Sequence, residues 1–302
     1  MPVNLHELPV FREALAYLYA EHARIEQHEL AVAIHDKQGI TPVPVAGLAM
    51  LMLGPGTSIT HAAVKTLADN NCLVCWCGEE NMRFYAWGTG GTRSAAPLLR
   101  QAQLAMHPDL RLKVVKKMYR MRFEDELSDD LTIEQLRGME GARVRSAYAL
   151  ISHQTGAIWE GRSYDRGTWV AADPVNRALS AANSCLYGVC QAAILSMGYS
   201  PAIGFIHTGK QLSFVYDIAD LYKTEVTIPV AFTVAAEDEK FVEQRVRVRL
   251  RERFQQIQLL THIVSDLHAL FGTKPAQPEF PADEDPAVPA PLWSPGGRGE
   301  EG

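Results

Sequence analysis

The stretch from Cys72 to His107, CLVCWCGEENMRFYAWGTGGTRSAAPLLRQAQLAMH, changes character in its middle. Before Gly88 it reads as two strands. CLVCWC and MRFYAW flank Gly78-Glu79-Glu80-Asn81, the polar turn of a hairpin. Beyond it, APLLRQAQLAMH spaces its apolar residues as a helix does. GTGGT, at 88–92, is the best boundary in the chain.

Toward the N-terminus the strand character continues. ELAVAIHD (29–36) has strand composition and ends on the turn signal Lys37-Gln38-Gly39. TPVPVAGLAMLML (41–53) carries the apolar pattern to the breaker Gly54-Pro55-Gly56. One short helix, SITHAAVKTLADNN, is expected there, capped by Thr57 or Ser58. Toward the C-terminus the period is helical: LRLKVVKKMYRMRF, IEQLRGMEGARVRSAYALISHQ, VNRALSAANSCLYGVCQAAILSMG, FVYDIADLYK, FVEQRVRVRLRERF and IQLLTHIVSDLHALF. From Pro275 to Pro295 seven of the chain's 17 prolines appear, a composition that cannot build a core. The expected fold class is therefore α+β. A small N-terminal β-domain (1–90) precedes a larger all-α domain (93–273) and a disordered, Pro-rich tail (274–302). The tail still holds AVPAPLWSP around Trp293, either solvated or a segment that orders on a partner's surface.

With 47% apolar and 21% charged residues over 302 positions, the chain is globular and long enough for a sizeable core. Its apolar runs fall short of the roughly 20 residues of a membrane span. MPVNLHELPVFREAL lacks the basic and apolar regions of a secretory signal. Five cysteines, three of them within CLVCWC, read as small apolar residues of a buried strand. No Cys or His pair follows at zinc-ligand spacing. Thiols without a disulfide framework suggest a reducing cytoplasm. The net charge of −6 is misleading about nucleic acid. The tail from Pro275 holds six acids and one base, and without it 29 acids face 28 bases.

The most unusual apolar stretch is GFIHTGKQLSFVYDIADLYK (204–223), which seeds aromatic and aliphatic residues with His207, Lys210, Asp217, Asp220 and Lys223. On a helix Asp217 and Asp220 stand at i and i+3, on one face, with Tyr216 and Lys223 flanking it. His207 lies on a loop just upstream. Carboxylates with an imidazole suit a hard divalent cation such as manganese, but the pattern taken alone favours a satisfied polar cluster. Glu140 stands between Gly138 and Gly141 on a helix, with Arg137, Arg143 and Arg145 around it. It is either an i,i+3 partner of Arg137 or Arg143, or a metal-binding carboxylate that the glycines let a ligand or backbone approach. Two basic runs remain. Arg111, Lys113, Lys116, Lys117, Arg120 and Arg122 form one; Arg245, Arg247, Arg249, Arg251 and Arg253 form the other. Each is a solvated face or a phosphate-contacting one.

Several stretches together resemble the CRISPR-associated integrase family, in its type I-E branch. They are GPGTSITHAAVKTLA, LRLKVVKKMYRMRF, EQLRGMEGARVR, WEGRSYDRG, NSCLYGVCQAAIL and, above all, PAIGFIHTGKQLSFVYDIADLYK, and the likeness spans residues 5 to 272. The resemblance implies a metal-dependent DNA endonuclease and integrase that inserts foreign DNA into a CRISPR array. Its ligands for Mg2+ or Mn2+ fall on Glu140, His207 and Asp220, with Asp217 as a further acid of the catalytic site. Its DNA-contact positions fall on Arg83, Arg162, Tyr187, Lys210, Lys223 and Arg247, with Arg245 or Arg249 able to stand in for the last. It implies partners too: double-stranded and branched DNA, a second copy in a homodimer, and a small ferredoxin-like protein that two such dimers bridge as a heterohexamer. No membrane partner is expected.

Overall fold

The computed structural model describes residues 16–29, 31–46, 48–78, 84–91, 94–123, 127–128, 130–162 and 173–272. The proline-rich tail, with both readings of it, lies outside these residues, as does Arg83.

The strands come first, in two four-stranded sheets. One contains β1 (Ala16–Ala20), β5 (Leu48–Leu53), β7 (Leu73–Cys77) and β8 (Phe84–Gly88), adjacent in that order. β5 is parallel to both β1 and β7, and β8 closes on β7 as the expected antiparallel hairpin, Cys75 opposite Trp87. The other orders β4 (Gly39–Val43), β3 (Ala31–Asp36), β2 (Arg24–His28) and β6 (Ser58–Ile59). Its β3–β4 turn is set by Asp36, whose Oδ1 accepts the N–H groups of Gln38 and Gly39 at 2.7 and 3.1 Å. The helix between the sheets, α1 (His61–Asp69), starts later than expected. Ser58 is spent pairing with Arg24 in β6, so Thr60 is the N-cap and accepts from the Ala63 N–H at 3.3 Å.

LAMLML and LVCWC are apolar nearly throughout because both faces of their sheet are covered. Side chains alternate across a strand. Leu51, Leu53 and Val74 therefore pack with Leu67 of α1 and with Ile25 and Val32 of the second sheet. Met50, Met52, Leu73, Cys75 and Cys77 face the other way, into a core shared with the helices that follow. All five cysteines are buried and outside any disulfide, and burial pushes the Cys77 thiol up to about 12.

Beyond Gly88–Thr92 the described residues are helical. They form α2 (Ala96–Met106), α3 (Pro108–Arg120), α4 (Ile133–Thr155), α5 (Pro174–Ser196), α6 (Ser213–Ala219), α7 (Ile228–Glu237), α8 (Val242–Gln256) and α9 (Leu259–Phe271). A capping box of Thr132 and Gln135 opens α4, and Gly156 closes it in the left-handed conformation at φ 74°. Asp173 caps α5, with Pro174 in its first turn. By length and composition α5 would span a membrane, but it is buried along most of its length as the axis of the helical layer. Two elements of this helical part went unread in the sequence. One is α7, whose β-branched Ile228, Val230, Thr233 and Val234 resemble a strand. The other is a π-helical turn, Lys223–Thr227, that joins α6 to it.

Candidate functional site

The loop between α5 and α6 is held from three sides. Gln101 of α2, wholly buried, donates to the Ser200 and Ile203 carbonyls at 2.9 and 2.8 Å and accepts the Ser200 N–H at 2.7 Å. Arg111 of α3 donates twice to the Phe205 carbonyl, at 2.9 and 2.7 Å. From below, Asp217 of α6 accepts the N–H groups of Phe205, Ile206 and His207 at 2.6, 3.1 and 2.8 Å. The turn also demands Gly204, where a Cβ would stand 2.2 Å from the His207 carbonyl oxygen.

That cradle aims His207. Its Nδ1 lies 2.7 Å from the Asp217 Oδ1, and its ring meets Tyr216 edge-on. The hydrogen bond to Asp217 raises the His207 pKa above the ordinary imidazole value; partial burial opposes this and the charge of Asp220 adds to it. With Nδ1 engaged, Nε2 is the ring nitrogen left for a ligand. Asp217 is fully buried with both oxygens engaged, so it does not share an open face with Asp220. Asp220, the C-cap of α6, keeps helical backbone and its N–H reaches the Tyr216 carbonyl at 3.0 Å, so the i,i+3 spacing holds; burial of Asp217 beneath the loop is what parts the two acids.

Asp220 lines a cavity of about 340 Å3 together with His207, Tyr187 of α5, Lys210, Tyr216 and Lys223; Thr208 and Ser213 complete the wall. Lys223 reaches Asp220 Oδ1 at 2.6 Å and stands 5.1 Å from the centre of the Tyr187 ring. Burial draws its pKa down, but the Asp220 charge and Tyr187 outweigh it and the net shift is upward, so the ammonium stays charged. The π-helical turn sets this lysine. Tyr222 donates to Asp266 of α9, Thr227 donates to Asn183 of α5 at 3.2 Å, and Arg143 of α4 donates to Thr224 at 3.0 Å.

Glu140 approaches from α4, but not as a partner of Arg137 or Arg143. Its ion pair is with Arg122, which follows α3. The same guanidinium has Nη2 3.9 Å from Asp220 Oδ2, so two carboxylates converge on one cation. The Tyr119 hydroxyl beside them is pushed up, by burial first and then by the charge of Glu140, with a smaller push from Asp220. The glycines flanking Glu140 serve no close backbone approach: a Cβ at Gly138 would meet nothing within 4 Å, and one at Gly141 only the Arg145 side chain at 3.4 Å.

Of the expected DNA-contact residues, Tyr187, Lys210 and Lys223 are brought together at the cavity. Arg162 and Arg247 are not part of its wall. Arg162 is tied to the start of α5 through the Asn176 carbonyl at 3.1 Å, the Asn176 side chain and Ser180. Arg247 is half-buried on α8. The basic runs prove mixed: Arg111 and Arg122 point inward, and Arg245 and Arg249 pair with Glu237. Gln101 and Arg111 were missed as builders of the site. The signal for Gln101 was a glutamine in register with Leu104 on the apolar stripe of its helix.

The donor types fit a hard divalent cation: two carboxylates on one guanidinium, and an imidazole oriented by a carboxylate with Nε2 to offer. As placed, no three His, Cys, Asp or Glu side chains among the described residues stand together as a finished metal cage, since Arg122 holds Glu140 and Lys223 holds Asp220.

Comparison with known proteins agrees with this layout. Residues 16–126 and 119–261 match the family described as "CRISPR associated protein Cas1". "CRISPR-associated endonuclease Cas1 2" of Thermus thermophilus is 57% identical over 300 residues, 99% of this chain and 92% of the relative. "CRISPR-associated endonuclease Cas1" of Escherichia coli is 42% identical, over 95% of this chain and 94% of the relative. A crystal structure described as "TtCas1-DNA complex" superposes with a TM-score of 0.81 at 58% identity, covering 87% of this chain and 99% of that one.

Proposed function

The chain belongs to the CRISPR-associated Cas1 family, and from that premise we propose that it is a DNA endonuclease and integrase that inserts foreign DNA spacers into a CRISPR array. The observation that carries the reading is the cavity in which His207 and Asp220 meet Lys210, Lys223 and Tyr187. It sets acid and imidazole donors beside cations and an aromatic face fit for a phosphate and a base.

In the integration step the 3′-oxygen of the incoming strand forms a bond to phosphorus at the repeat boundary. The bond from that phosphorus to the repeat strand's own 3′-oxygen breaks, and the proton lost by the attacker is made up on the leaving oxygen. Attack by water in place of the hydroxyl is the nuclease reaction. Glu140, His207 and Asp220 would hold Mg2+ or Mn2+, which when bound lowers the attacking hydroxyl's pKa and offsets charge at the phosphoryl group. Asp217 fixes the His207 ring and its tautomer. Lys223 and Lys210 take the phosphate charge and Tyr187 offers its ring to a base; Arg162 and Arg247, outside the cavity wall, and Arg83 are the further DNA contacts that the resemblance names.

The same reading includes a homodimer, a heterohexamer with a small ferredoxin-like partner protein, and action in the cytoplasm, where five buried thiols outside any disulfide are at home. A plasmid integration assay with a 3′-hydroxyl oligonucleotide, run with and without the partner protein, tests it. Asp220→Ala is expected to abolish joining in every divalent metal. An Asp220→Ala protein that still joined would remove the assigned site.

A further inference from the structure

Arg122 is the most unusual charge in the molecule. Its side chain is 1% exposed. Nη1 is given to Glu140, Nη2 stands 3.9 Å from Asp220 Oδ2, and Nε and Nη2 are buried without a hydrogen-bond partner. The Tyr119 ring packs 5.1 Å from the guanidinium carbon. A buried cation with donors left unmade is costly, and such a group calls for an explanation. DNA contact is not one, because no phosphate reaches so enclosed a side chain. The charges in front of it are the carboxylates of Glu140 and Asp220.

Lys223 makes the contrast. It also neutralises Asp220, but it is 26% exposed and lines the cavity, so an arriving phosphate can draw it off. Arg122 has nowhere to go.

We propose that Arg122 is the fixed internal counter-ion of the Glu140–Asp220 carboxylate pair. It holds the two acids near one another while no metal ion is bound, and by its charge it lowers the affinity with which an ion takes its place. This rests on the reading of Glu140 and Asp220 as ion ligands. Two like charges drawn to one guanidinium need no ion to stay together, and a divalent cation entering the pair must work against a positive charge a few ångströms away. Arg122 is thus a positioning residue that touches no substrate.

Mn2+ binding without DNA, followed by the electron paramagnetic resonance signal of the free ion, gives a readout independent of activity. Arg122→Gln and Arg122→Met remove the charge and are expected to tighten Mn2+ by about tenfold or more. Arg122→Lys keeps it and is expected to stay near the wild-type value. The neutral variants should also melt earlier without the ion and gain more from it than the wild type does. Neutral variants that fold and bind Mn2+ as the wild type does overturn the proposal. So does tightening in Arg122→Lys, which would make shape and not charge the cause. Neutral variants that fold only with Mn2+ support it. Neutral variants that fail to fold even in excess Mn2+ overturn it, because the ion should replace the guanidinium. Glu140→Gln and Asp220→Asn run in parallel. If they keep wild-type Mn2+ affinity, the ligand reading itself fails; if they lose Mn2+ while Arg122→Gln stays unchanged, only the counter-ion fails.

Discussion

At the scale of single residues the site depends on a carboxylate that touches no ligand. Asp217 holds three loop N–H groups and the His207 ring, and its hydrogen bond raises the His207 pKa above the ordinary value of 6.5. The sign follows from linkage. A group whose folded pKa is raised contributes stability that is fully present below pH 6.5 and is lost as pH climbs through the raised value. Ligation runs the opposite way, since Nε2 must be unprotonated, so activity is expected to rise over that same window. Asp217→Asn is therefore expected to lower the His207 pKa, read by NMR titration without metal, and to flatten the pH dependence of stability above pH 6.5. Weaker backbone acceptance by the amide should cost about 1–3 kcal/mol as well. A His207 titration unmoved by Asp217→Asn would break the assigned orientation. The sequence made Asp217 and Asp220 equals at i and i+3. Nothing in it marked Asp217 as the acid that the 205–207 loop would bury, which is what separates their roles.

At the scale of elements, α4 and the turn after α6 show what periodicity delivers and where it stops. The Thr132–Gln135 capping box that opens α4 went unread, but the apolar spacing made the helix itself legible. The partner of Glu140 was not, because Arg122 arrives from another element and within its own run looks like any solvated base. The π-helical turn at Lys223–Thr227 was equally hidden: it exists because Tyr222, Thr224 and Thr227 are each tied to a different helix. Gly138 gives this scale a test. It sits inside α4 with open space where a Cβ would go. Gly138→Ala is expected to stabilise the protein by about 1 kcal/mol, seen as a rise in Tm. The same variant in a DNA-binding titration asks whether DNA uses that space. Unchanged affinity leaves the glycine without a ligand role, and a loss of binding by a protein that melts later assigns it one.

At the scale of the molecule, the order of strands before helices was legible from the change at Gly88–Thr92, but the core does not stop there. Met50, Met52, Leu73, Cys75 and Cys77 share one apolar cluster with Leu104, Met118, Leu186 and Phe271. Sequence patterning could not show this. A strand buried on both faces and one buried against a single domain both read as apolar runs. Continuity of the core implies continuity of unfolding. Native-state hydrogen exchange is expected to give the amides of Leu48–Leu53 and those in the middle of Pro174–Ser196 the same opening free energy. Met52→Ala is then expected to lower both by about 2–5 kcal/mol, since the cavity it leaves lies between sheet and helices. Strand amides that opened well below the helix, with Met52→Ala felt only in the strands, would show two separately folding units. The cluster would then be a docking face between them.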